Sequence, residues 1–77
     1  MQKGTYTVDK ETKDGLKLLG TVVYNGGDLK EESQRALAKF GIAVTEGRLI
    51  RSEHDDEAWV VVDNDGVQYF FELEYRR

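Results

Sequence analysis

The densest group of side chains with catalytic or metal-binding potential is the segment Ser52-Glu53-His54-Asp55-Asp56-Glu57, which contains the only histidine of the chain. Carboxylates and imidazole are common ligands of divalent cations. Metal ligands, however, converge from spaced positions, whereas consecutive residues of a turn point away from one another. We therefore interpret this segment as a solvated polar turn and expect no metal site.

A second acidic segment, Asp63-Asn64-Asp65-Gly66, partly matches a calcium-binding loop, with Glu74 at the spacing of the final ligand. The EF-hand pattern requires an oxygen ligand at its fifth position, glycine at its sixth, and flanking helices. Here glycine is fourth, Val67 is fifth, and the flanking residues have the alternation of strands. The segment predicts a hairpin turn that does not bind calcium.

Phosphate binding and nucleophilic catalysis have equally little support. Gly26-Gly27 precedes a predicted helix, whose N-terminus would attract an anion, but Asp28 places a negative charge there. Ser33 and Ser52 have no separate base and orienting acid in view. We therefore expect a protein that is not an enzyme, needs no cofactor and has no small-molecule substrate.

Length and charge limit the classes of partner. The chain has 77 residues, no cysteine and a net charge of −4, with a pI near 4.9. We expect one domain over residues 1–77, a cytoplasmic location, and little affinity for nucleic acid or an anionic membrane. An arginine cluster that binds single-stranded nucleic acid is the alternative, but cross-strand pairing with glutamates is favoured. The arginines concerned are Arg48, Arg51, Arg76 and Arg77.

Alternation and capping signals predict the element order ββαβββ. Residues 3–9 and 16–24 read as a hairpin with a turn at Asp14-Gly15 and a bulge near Gly20. A helix follows Asp28 as N-cap, and Gly41 takes the C′ position with Ile42 contacting Leu37. A short strand over residues 47–52 precedes the C-terminal hairpin. This order predicts an α+β domain, in which one helix packs on one face of a four- or five-stranded antiparallel sheet.

The C-terminal hairpin, residues 57–75, is apolar on both faces. A two-residue turn at Asp65-Gly66 would pair Val62 with Tyr69, Val60 with Phe71 and Ala58 with Leu73. The predicted core face is then Ala58, Val60, Val62, Tyr69, Phe71, Leu73 and Tyr75. The second face carries Trp59, Val61 and Phe70 among Gln68, Glu72 and Glu74.

One short helix, about 12 residues and roughly 18 Å long, covers only one sheet face. The second face would be covered by the N-terminal hairpin closing a small barrel, by a second copy, or by another protein. We predict a small non-enzymatic interaction module or inhibitor, with a partner-binding set of Trp59, Val61, Phe70, Glu72 and Glu74. The alternatives are a structural homodimer, or an acidic viral or mobile-element inhibitor that partly mimics nucleic-acid charge.

Overall fold

Five antiparallel strands form one sheet in the order β2-β1-β5-β4-β3, and a single helix follows β2 in the chain. The computed structural model describes residues 1–51 and 56–74. The elements are β1 (Gly4–Thr12), β2 (Gly15–Tyr24), α1 (Leu29–Lys39), β3 (Arg48–Arg51), β4 (Ala58–Val62) and β5 (Gln68–Leu73). The predicted α+β class and the order ββαβββ are therefore confirmed.

The N-terminal hairpin extends the sheet sideways. Thr12 pairs with Gly15, so the turn lies one residue earlier than predicted. Val8 pairs with Gly20 but Asp9 pairs with Leu18, which leaves Leu19 as the extra residue of a bulge near Gly20, as expected. Because β1 lies beside β5 and β2 forms an edge, this hairpin does not fold over the sheet, and the small-barrel alternative is wrong.

Both ends of α1 are fixed by the residues that the sequence indicates. The carboxylate of Asp28 accepts a hydrogen bond of 3.0 Å from the Glu31 N–H. At the other end Gly41 has φ 79°, and the N–H of Ile42 donates to the Leu37 carbonyl oxygen at 3.0 Å. This is the Schellman arrangement, which satisfies carbonyl groups of the last turn.

The core lies between α1 and one face of the sheet. Leu29, Ser33, Ala36 and Leu37 are the buried residues of α1. They meet a largely aromatic sheet surface consisting of Tyr6, Val8, Tyr24, Trp59, Val61, Tyr69, Phe71 and Leu73. The rings of Trp59 and Phe71 are stacked, with centroids 4.8 Å apart and an interplanar angle of 11°. Ring stacking and helix burial together explain how a chain this short encloses a continuous core.

The C-terminal hairpin has a three-residue loop, and the predicted two-residue turn is wrong. The N–H of Asp63 donates to Val67 O at 2.9 Å, and the N–H of Gly66 donates to Asp63 O at 3.1 Å. The Asp63 carboxylate also accepts from the N–H groups of Asp65 and Val67. Gly66, with φ 85°, supplies the left-handed residue that a three-residue loop needs.

An odd loop length shifts the strand pairing by one residue and exchanges the faces of β4. Trp59 pairs with Phe71, Val60 with Phe70, and Ala58 with Glu72. The predicted pairings and the predicted membership of the two faces are therefore wrong for β4. In β5 the prediction holds, because Tyr69, Phe71 and Leu73 are buried in the core. Tyr75 lies outside the described residues.

Candidate functional site

The structure separates the five residues predicted to bind a partner. Trp59 and Val61 are 3% and 4% exposed and belong to the core, where the Trp59 indole N–H donates to Ser33 Oγ at 2.8 Å. Phe70 and Glu72 occupy the opposite face of the sheet. Glu74 is exposed just beyond β5, and its N–H donates to the Thr5 carbonyl at 2.8 Å. The predicted grouping of Trp59 and Val61 with Phe70 on one surface is therefore wrong.

The side of the sheet turned away from α1, here called the open face, carries a row that crosses all five strands. Successive pairings place one residue of each strand in this row, in the order Leu18, Asp9, Phe70, Val60 and Ile50. At about 4.8 Å between neighbouring strands, the row is roughly 19 Å long. Four of its five members are apolar, and Phe70 stands on the central strand.

The most exposed large apolar side chains also lie on the open face. Among the described residues, the large apolar side chains that are at least half exposed are Leu16 at 60%, Leu18 at 61%, Val23 at 63% and Ile50 at 50%. The strand pairings place all four on this face. Leu16, Leu18 and Val23 were not among the residues predicted to form a binding surface. Their signal was present in the bulge near Gly20, because one extra residue moves Leu16 and Leu18 to the same side as Val23.

A shallow groove lies in the open face around Ala58, the smallest side chain of this region. It has a volume of about 270 Å³ and is bordered by Ile50, Val60, Phe70 and Glu72, with further contributions from Trp59 and Phe71. Small-molecule sites usually occupy about 300–1,000 Å³ and enclose their ligand. This groove is smaller and more open, with room for about one large apolar side chain.

The charge on the open face is predominantly negative. The strand pairings place Asp9 and Glu11 of β1 and Glu72 of β5 on this face. Glu74, just beyond β5, follows the same alternation and is exposed. Arg48, which pairs with Val62, is the basic residue that β3 contributes to the same face. Lys10 and Lys17 pair with each other at positions that belong to the other face of the sheet. The charged side chains in and around the apolar row are therefore mainly carboxylates.

Asp63 has a structural role in the hairpin loop and shows no sign of a calcium site. Its carboxylate accepts from the Tyr69 hydroxyl at 2.9 Å as well as from two loop N–H groups. Burial opposes ionisation, but hydrogen bonds from Val67, Tyr69 and Asp65, with the charge of Lys10, outweigh it and lower the Asp63 pKa. Burial and the nearby Asp63 carboxylate raise the pKa of Tyr69 to about 12.

Among the residues that the structure describes, the remaining sequence candidates add no second site. Within residues 1–51 and 56–74, no three histidine, aspartate or glutamate side chains group in a way that could hold a metal ion. His54 and most of its acidic segment lie outside those ranges, as do Arg76 and Arg77. Ser33 donates its hydroxyl proton to the Leu29 carbonyl at 2.6 Å, so it serves the core.

Within the part of the chain that the structure describes, no helix has the length and apolar character needed to cross a bilayer. No protein-family model, curated protein or solved structure matches this chain. The open face, with its apolar row, groove and nearby carboxylates, is the candidate functional surface of the described residues.

Proposed function

We propose that this protein is a small non-enzymatic interaction module or inhibitor that docks another protein on its open face. The observation that carries the proposal is the location of Leu16, Leu18, Val23 and Ile50. All four are at least half exposed and lie on one side of the sheet, where Ile50 adjoins Val60 and Phe70, while the other three lie on β2, beyond the polar side chains that β1 places on this face. Exposed apolar patches on monomeric proteins commonly mark binding surfaces.

The arrangement around Phe70 agrees with the usual composition of an interface. Binding energy concentrates in a few central aromatic or large side chains, surrounded by a polar rim that excludes water. Phe70 lies on the central strand, and Ala58 beside it leaves room for an entering side chain. Glu72 and Asp9 supply polar groups next to this centre.

The proposal is tested by affinity capture from the native host with three forms of the protein. These are the wild type, an open-face variant with Ile50→Ser and Phe70→Ser, and a control with Ala38→Ser and Ala43→Ser. Ala38 and Ala43 are exposed residues outside the sheet, so the control also replaces surface apolar groups. We expect a protein that the wild type and control retain and the open-face variant loses.

A photo-reactive residue at position 50 then tests, by cross-linking, whether that protein contacts the open face directly. Circular dichroism of all three forms verifies that each is folded. Retention of the same proteins by the open-face variant, at undiminished yield, would show that binding takes place elsewhere and would overturn the proposal.

A further inference from the structure

The groove around Ala58 lies on strands whose other face packs in the core. Trp59 and Phe71 contribute to the groove, while their rings stack on each other on the opposite, core side of the sheet, where the Trp59 indole is hydrogen-bonded to Ser33. Both residues are at most 3% exposed. Because core packing anchors the sheet beneath the recess, the backbone there does not have to be ordered when a ligand binds, which favours affinity.

Carboxylates lie at this recess and on the neighbouring strand β1. Glu72 borders it and is exposed, while Asp9 pairs with Phe70 on the neighbouring strand. Glu11 and Glu74 extend the negative charge along β1 and beyond β5. Within the described residues, none of these four carboxylates forms an ion pair. Their charge is therefore available to a partner without breaking an internal contact.

A second copy of this chain is a poor occupant of the open face. Stacking the face on itself would bring together two surfaces that each carry four carboxylates and only Arg48 as a described basic residue. Like charges brought together at an interface cost affinity, and the net charge of −4 adds repulsion. The charge pattern instead complements a surface of opposite sign.

We infer, on the basis of the proposed function, that the partner presents a basic segment. One large apolar side chain of that segment enters the groove between Ile50, Val60 and Phe70. Lysine or arginine residues flanking it pair with Glu72 and with Asp9. The apolar contact supplies most of the affinity, while the charges determine which partner is accepted and how quickly it associates.

The probe for this inference is a phage-displayed library of random twelve-residue peptides, selected on the immobilised wild-type protein. Counter-selection uses an Ala58→Leu variant, which fills the groove without changing the charge of the face. We expect the enriched peptides to share a tryptophan, phenylalanine or leucine flanked by lysine or arginine. Synthetic copies are then titrated by nuclear magnetic resonance to map the shifted residues and obtain dissociation constants.

Charge variants test the electrostatic part. Glu72→Gln and Asp9→Asn should each weaken the selected peptides about two- to fivefold, the range of rim ion pairs, and raised salt should weaken them further. Glu31→Gln is the matched control, because it removes the same charge from an exposed position on α1. It should leave the dissociation constant nearly unchanged.

The outcomes separate the two proposals. Peptides that map to the open face but are neutral or acidic, and that bind equally to Glu72→Gln, would overturn the basic-partner inference and leave the proposed function standing. Failure to enrich any peptide that distinguishes wild type from Ala58→Leu would overturn the groove as a docking site. A dimer in light scattering at tens of micromolar, abolished by Val60→Lys, would assign the face to a second copy.

Discussion

The indole N–H of Trp59 donates a 2.8 Å hydrogen bond to Ser33 Oγ, joining β4 to the middle of α1. Ser33 in turn donates to the Leu29 carbonyl oxygen, so both polar groups are satisfied inside the core. This contact requires Trp59 to face α1. It is incompatible with a surface role for the tryptophan, the role that its sequence position suggested.

Removing the serine hydroxyl should destabilise the protein through the tryptophan. Ser33→Ala leaves the buried indole N–H without an acceptor, at an expected cost of about 1–3 kcal/mol in the free energy of unfolding. In a Trp59→Phe background the same change should cost much less. Urea unfolding followed by far-ultraviolet circular dichroism measures both. Equal costs in the two backgrounds would show that the hydrogen bond is not the source of the effect.

The adjacent residues Phe70 and Phe71 should lose very different amounts of stability on the same substitution. Phe71 is 1% exposed in the core, so Phe71→Ser should lower the free energy of unfolding by about 3–5 kcal/mol. Phe70 lies on the open face and retains access to solvent, so Phe70→Ser should cost about 1 kcal/mol or less. Thermal unfolding of the two variants compares them directly. Similar losses would mean that the open face is covered within the monomer.

The three-residue loop should depend on the glycine at position 66. With φ 85°, a side chain there is strained, and Gly66→Ala should cost about 1–2 kcal/mol. Gly66→Asn should cost less, since asparagine tolerates this conformation better than alanine. Chemical unfolding measures each variant. Asp65→Ala is the control, because the loop uses only the backbone N–H of that residue. A Gly66→Ala variant with the same free energy of unfolding as the wild type would contradict the assigned loop geometry.

Asp63 should make the hairpin acid-sensitive. Because its pKa is lower in the folded chain than in the unfolded chain, its ionised form stabilises the fold. That contribution is present above the unfolded pKa, near 3.9, and is lost as the pH falls through the lower folded pKa. The stability difference between wild type and Asp63→Asn should therefore shrink in acid. Unfolding measured from neutral pH to strongly acidic pH tests this, and a constant difference would contradict it.

Local sequence signals were sufficient to predict the helix and the order of the secondary-structure elements. Asp28 and Gly41 fix the ends of α1 through contacts within a few residues of each other, and such contacts are readable from the sequence. The bulge near Gly20 was also readable, because the apolar alternation breaks there. The strand order could not be predicted from the sequence, because it depends on which strand edges, far apart in the sequence, pair with each other.

The candidate site depended on one local detail that the sequence left ambiguous. Asp65-Gly66 is compatible with a two-residue turn and with a three-residue loop that also uses Asn64. The two differ by one residue of register, and a shift of one residue exchanges the faces of a whole strand. Phe70 and Glu72 kept their predicted exposure because β5 alternates strictly, whereas β4 is apolar at every position and carries no such signal.

The sequence by itself determined the helix, the elements and their order, the acidic charge, and the exposure pattern of β5. Only the tertiary structure decided which side of β4 faces α1 and that β1 and β2 extend the sheet. The choice required the Asp63 hydrogen bonds that close the loop and the Trp59 contact with Ser33. The Asp63 bonds are local, but the Trp59 contact joins groups that meet only once the helix packs on the sheet, and burial of that large aromatic ring favours the observed register.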